Sequence, residues 1–150
     1  MQAISNKGSI LLGIVIFLLI ITTSIYMLAK TVLGATSLVQ MEKQDIKLEL
    51  GGLSGIARAA WLINNNKEAQ YKINIHKSFP LNEKISLIKA SNSYQENIEN
   101  TTLTICFSSE NQCLYVLVSL GKANSGYEMK RLYTCEYEKN PFKPIKLSYN

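Results

Sequence analysis

Residues 7–30 read KGSILLGIVIFLLIITTSIYMLAK. Between the two lysines no side chain carries a formal charge, and most are Ile, Leu, Val, Phe or Met. About twenty apolar residues rising 1.5 Å each span the hydrocarbon core of a bilayer, so the run is long enough to cross one. A secretory signal has a shorter apolar region, roughly 7–15 residues, followed by a small-x-small cleavage site. Leu33-Gly34-Ala35 is a poor match to such a site, so the segment reads as kept at its far end. Residues 1–8 are too short and too weakly basic to form a cytosolic domain. Lys7 and Lys30 flank the run symmetrically, but the short leading flank favours a cytoplasmic N-terminus and an extracytoplasmic C-terminal part.

Beyond Lys30 the chain stays uncharged from Thr31 to Val39, and the first dense charge cluster is Glu42-Lys43-Gln44-Asp45. From there Ile46, Leu50, Leu53, Ala57 and Trp61 recur at spacings of four and three, which puts them on one helical face. The pattern predicts one helical track from about residue 9 to about residue 63, on the order of 80 Å long. Residues 9–40 form its transmembrane or assembly part and 41–66 its amphipathic continuation. Asn64-Asn65-Asn66 ends it, because Asn tolerates the left-handed conformation at a helix C-terminus. Gly51-Gly52, with Gly55 close behind, is the expected weak point for a bend or break. Gly13 and Gly34 suit close helix packing in an apolar setting.

After Asn66 the period changes to two. Residues 71–76 and 84–88 read as strands, and residues 91–100 as a polar loop. Thr101–Phe107, Gln112–Leu120 and Tyr127–Tyr137 are stronger strands, while Pro141 and Pro144 keep the tail out of a central strand position. Pairing the first two about Ser109-Glu110 sets Ile105 opposite Leu114 and Leu103 opposite Val116, on one apolar face. Thr104 then faces Tyr115 and Cys106 faces Cys113 on the other. That register predicts a Cys106–Cys113 bond across the hairpin and a buried, free Cys135. The amphipathic part, 46–61, is expected to pack on this sheet through Leu103, Ile105, Leu114, Val116 and Val118.

Only 18% of the 150 residues are charged, nearly all beyond residue 40, with a formal net charge of +5. The three cysteines include no CxxC pair and no His/Cys spacing of a zinc site. The single histidine, His76, reads as a surface residue, and no nucleophile–base set, glycine-rich phosphate loop or carboxylate cluster is present. The chain reads as a non-enzyme without metal or cofactor. Among the eight tyrosines, Tyr115, Tyr127, Tyr133 and Tyr137 gather near one sheet, where cross-strand packing is the first expectation. Lys122, Lys130 and Arg131, with Lys139, Lys143 and Lys146, make the C-terminal region locally basic, the composition a nucleic-acid patch would need. Asn100-Thr101-Thr102 fits a glycosylation acceptor.

A short polar leader ending in Lys7-Gly8, an uncharged helix from Ser9 that turns amphipathic, and a small antiparallel sheet together resemble the type IV pilin family, pseudopilins of type II secretion included. The resemblance implies cutting after Gly8 by a membrane-embedded prepilin peptidase, with Ser9 as the methylated mature N-terminus. It also implies assembly through Ile10, Leu11, Leu12, Gly13 and Phe17 with the helices of other subunits, on an inner-membrane platform, after storage in the bilayer. Two departures narrow it: Ser9 stands where the family usually has Phe or Met, and Gly13 where most members carry a buried Glu. That combination is most similar to minor pilins of the PilX type, which prime or cap a filament.

The expected architecture is therefore α+β and pilin-like: leader 1–8, helix 9–66, and a β-sheet head over 67–150. The expected role is a processed structural subunit of a pilus or secretion filament. The alternatives are an unprocessed single-pass anchor carrying an extracytoplasmic binding module, or a filament-tip subunit that binds DNA.

Overall fold

The structure, a computed structural model, describes residues 3–121 and 128–150, with side chains from residue 10 onward. Helix α1 runs unbroken over Ala3–Asn64. It starts before Ser9, and Gly8 and Ser9 lie within it, their side chains outside the described set. A 3-10 turn (Glu68–Tyr71) follows, then β1 (Lys72–Ile73), α2 (Leu81–Ala90), β2 (Tyr94–Ile98), β3 (Thr101–Ser108), β4 (Cys113–Leu120), β5 (Met129–Glu138) and β6 (Lys143–Tyr149).

The chain divides into two units, one up to Lys43 and one from Gln44 onward. In the first, the large apolar side chains Ile10 to Met41 are exposed. This is the one helix among the described residues long and apolar enough to cross a membrane.

In the second unit the strand order is β1-β3-β4-β5-β6, with β2 also paired to β3. The sheet is mixed rather than purely antiparallel, because β1 runs parallel to β3. Helix α1 covers one face: Leu48, Ala59, Leu62 and Ile63 pack with Leu103, Ile105, Val116 and Tyr133. Helix α2 covers the other, where Ile88 joins Ile75, Cys106, Tyr115, Leu117 and Leu132. Burial on both faces explains why every residue of β4 is buried although the strand does not alternate in polarity.

Helix α2 corrects the reading of residues 84–88 as a strand. Leu81, Ile85 and Ile88 follow a helical spacing of four and three, starting just after Pro80, with Glu83 in the first turn and Lys89 in the last. The short window 84–88 alone shows only alternation. Residues 94–98, read as loop, form an edge strand, polar because only part of it is covered. Glu99 and Asn100 make its two-residue turn into β3, with Glu99 at φ 52°.

The β3–β4 register slips by two from the expected one: Ile105 pairs with Val116, Phe107 with Leu114, and Cys106 with Tyr115. A slip of two keeps every side chain on its expected face. It nonetheless takes Cys113 from opposite Cys106 and sets it opposite Glu136 of β5. All three cysteines are buried and free.

Two details of α1 carry the rest. Its end behaves as its asparagines suggest: Asn66 is left-handed at φ 54°, its N–H bonds the Ile63 carbonyl, and the Lys67 N–H bonds that of Leu62, both at 2.9 Å. The expected sheet-facing stripe, however, points away. Ile46 is 49% exposed, Leu50 60%, Leu53 53% and Trp61 45%. The face turned to the sheet is the opposite one, and its centre is Gly51, Gly52 and Gly55.

Candidate functional site

The glycines are not a break but a close approach. A Cβ on Gly51 would stand 2.6 Å from Val118 Cγ1, and one on Gly52 would stand 2.5 Å from the Tyr133 ring. One on Gly55 would strike Val116. Without those atoms the sheet reaches the helix backbone itself, and the Tyr133 hydroxyl donates to the Leu48 carbonyl at 3.0 Å. The buried tyrosine thereby satisfies its polar end inside the core.

Glycines occupy the point of nearest approach, flanked by the buried Leu48 and Leu62, while Ile46, Leu50, Leu53 and Trp61 of the same segment remain outside. The outer face of residues 46–61 is thus left uncovered by the sheet. Clefts flank it on both sides. One, of about 210 Å³, lies between the helix and β2, bordered by Lys47, Leu50, Ser54 and Ile98. Another, of about 160 Å³, lies towards β5 and β6, bordered by Asp45, Glu49, Leu53, Tyr133 and Leu147.

Ion pairs fix the helix at both flanks. Arg58 donates to both Glu96 oxygens, from Nε at 2.8 Å and from Nη2 at 2.6 Å, and its guanidinium lies between the Trp61 and Tyr94 rings. Arg58 holds the Glu96 carboxyl below the usual range against the opposing effect of burial. On the other flank Arg131 bonds Asp45 and stacks over Tyr149.

Of the basic patch read from the sequence, the structure describes Lys130 and Arg131 and separates them. Lys130 and Arg131 are neighbours on β5 and so project to opposite faces of the sheet. Lys130 pairs with Glu128 at 2.6 Å while Arg131 pairs with Asp45. Lys122, like Tyr127, lies outside the described residues. The tyrosines do not form a surface either: Tyr115 lies in the α2-side core, and Tyr133 and Tyr137 in the α1-side core. His76 is exposed, 3.2 Å from the Glu110 carboxylate. Among the described residues no three His, Cys, Asp or Glu side chains gather as a metal site. Burial pushes all three thiols up, Cys106 to about 12, so none is a ready nucleophile.

A separate polar cleft of about 210 Å³ lies beyond the C-terminal end of α1, among Glu68, Lys72, Glu110, Gln112 and Lys139. Glu68 is buried, yet its ion pair with Lys139 holds the carboxyl below its ordinary value, overcoming the larger single effect of burial. In the first unit, Ile10, Leu11, Leu12 and Phe17 are all exposed, and a Cβ on Gly13 would meet nothing within 4 Å.

Compared with protein-family models, curated proteins and solved structures, the chain matches none.

Proposed function

We propose that this chain is a minor pilin-like or pseudopilin-like structural subunit, cut after Gly8 and assembled through its N-terminal helix. The observation that carries the reading is that α1 keeps an apolar surface along most of its described length. Ile10 to Met41 are exposed, and from Ile46 to Trp61 the helix stays apolar outward while small residues face its own sheet. A bare anchor needs only the first of these. Apolar helix surface outside lipid is buried by other helices, and a subunit that moves from a bilayer to a helix bundle exchanges one apolar neighbour for another at little hydrophobic cost.

The test is mass. The full chain, expressed in membranes with and without an active prepilin peptidase, should lose residues 1–8 only where the peptidase is present. A chain that keeps them under both conditions overturns the reading.

The polar cleft at Glu68 favours a second reading, an unprocessed anchor carrying a binding module. The DNA-binding reading has less to stand on, since Lys130 and Arg131 face opposite ways and each already holds an acid.

A further inference from the structure

One wall of the polar cleft beyond α1 carries an unmet hydrogen bond. Glu68 is 4% exposed, and Lys139 pairs with its Oε1. Its Oε2 is enclosed and meets no donor among the described residues. A carboxylate oxygen held out of water without a donor is costly, and folded proteins nearly always supply one. Glu68 borders the cleft, so the cleft is the side from which a donor can come.

The rest of the lining selects the chemistry of that donor. Its charged residues are two acids, Glu68 and Glu110, and two bases, Lys72 and Lys139. Such a balance gives no net attraction for a cation or an anion. The neutral groups offer both halves of a hydrogen bond. The Ser108 hydroxyl oxygen already accepts from the Glu110 and Asn111 N–H groups, both at 3.3 Å, which leaves its proton to donate. The side-chain amide of Gln112, an exposed residue, both donates and accepts. A hydroxyl-bearing ligand matches this set, because each hydroxyl is donor and acceptor at once. At about 210 Å³ the cavity falls short of the roughly 300–1,000 Å³ that drug-sized ligands occupy, so it suits one ring rather than a chain of them.

We infer that this cleft binds a neutral, hydroxyl-rich small molecule, a single sugar ring, with one hydroxyl donating to Glu68 Oε2. The Lys139 side chain, 42% exposed, moves aside to admit that hydroxyl. The inference gives the binding-module reading its ligand, and it holds whether or not the chain is cut after Gly8.

Saturation-transfer NMR on the full chain tests it, in a polyoxyethylene detergent that carries no sugar head. Glucose, galactose and N-acetylglucosamine are the neutral probes, with glucosamine and glucose 6-phosphate as charged counterparts. At least one neutral sugar should receive saturation, with a Kd on the order of 1 mM, and neither charged counterpart should bind tighter. Glu68→Gln puts a donor where the acceptor stands and should weaken binding roughly tenfold. Should that buried change unfold the chain, Lys72→Ala and Gln112→Ala decide: both residues are exposed, and each variant should weaken binding several-fold with an unchanged thermal midpoint. The inference is overturned if no neutral sugar receives saturation, which would leave Oε2 to an ordered water. It is also overturned if binding is untouched by both surface variants, or if a charged counterpart binds tenfold tighter than the neutral sugars. Loss of residues 1–8 without sugar binding would leave the pilin-like reading standing and remove this one, and sugar binding by a chain that keeps them would do the reverse.

Discussion

The two faces of α1 between Gln44 and Asn64 are apolar for opposite reasons. The inner face is made of absence at its centre, between the buried Leu48 and Leu62: Gly51, Gly52 and Gly55 bring backbone to within contact of Val118, Tyr133 and Val116. The outer face is made of bulk, with Ile46, Leu50, Leu53 and Trp61 all largely exposed. Side-chain size alone would assign these faces the other way round. Close packing of a helix on a twisted sheet rewards small residues at the point of nearest approach, and leaves Ile46, Leu50, Leu53 and Trp61 uncovered by the sheet.

This contrast gives an ordered set of expectations. The largest effect comes from emptying the inner face. Leu62→Ala removes a fully buried side chain and should cost about 2–5 kcal/mol in denaturant unfolding of the detergent-solubilised chain. Leu50→Ala, on the outer face, should fall within about 0.5 kcal/mol under the same conditions. Equal losses would erase the distinction between the faces. Next is the hydroxyl that reaches across the glycine gap. Tyr133→Phe deletes the bond to the Leu48 carbonyl and should cost about 1 kcal/mol, with the fold intact by circular dichroism.

The smallest effect concerns the flank. Glu96 has a lowered folded pKa, so the Arg58–Glu96 pair contributes fully above the ordinary Glu value and loses its contribution as pH falls through the depressed one. Thermal midpoints of the parent should therefore drop on acidification below about pH 4.5, and Glu96→Gln should flatten part of that drop. A Glu96→Gln profile parallel to the parent would show that the pair adds nothing.

Much of the architecture was legible before the structure. The length of α1 and its end at the asparagines follow from an uncharged run and a left-handed cap, both local signals. Strands β3, β4 and β5 were visible as runs, and even the slipped register left each residue on its expected face. What could not be read depends on contacts between distant segments. The orientation of α1 hangs on Tyr133 and Val116 meeting glycines some sixty to eighty residues earlier, and a helical wheel that seeks large apolar residues points the wrong way. The same holds for β2, polar because it lies at an edge, and for α2, whose five-residue window reads as alternation until Leu81 and Pro80 are counted. Lys130 and Arg131 part for a simpler reason, since adjacent strand residues do not share a face.

One paired measurement tests the central claim, that Gly51, Gly52 and Gly55 face the sheet while Ile46, Leu50, Leu53 and Trp61 face outward. Gly52→Ala adds a single methyl where the Tyr133 ring stands 2.5 Å away. Its neighbour Leu53→Ala removes three carbons from an exposed side chain. In denaturant unfolding of the full chain, Gly52→Ala should destabilise by roughly 1–3 kcal/mol of overpacking, towards the upper end because that ring is held by its hydroxyl, despite about 1 kcal/mol gained in helix propensity. Leu53→Ala should change stability by less than about 0.5 kcal/mol. The reverse order, with Leu53→Ala costly and Gly52→Ala neutral or stabilising, would mean that the stripe of Ile46, Leu50, Leu53 and Trp61 packs on the sheet after all.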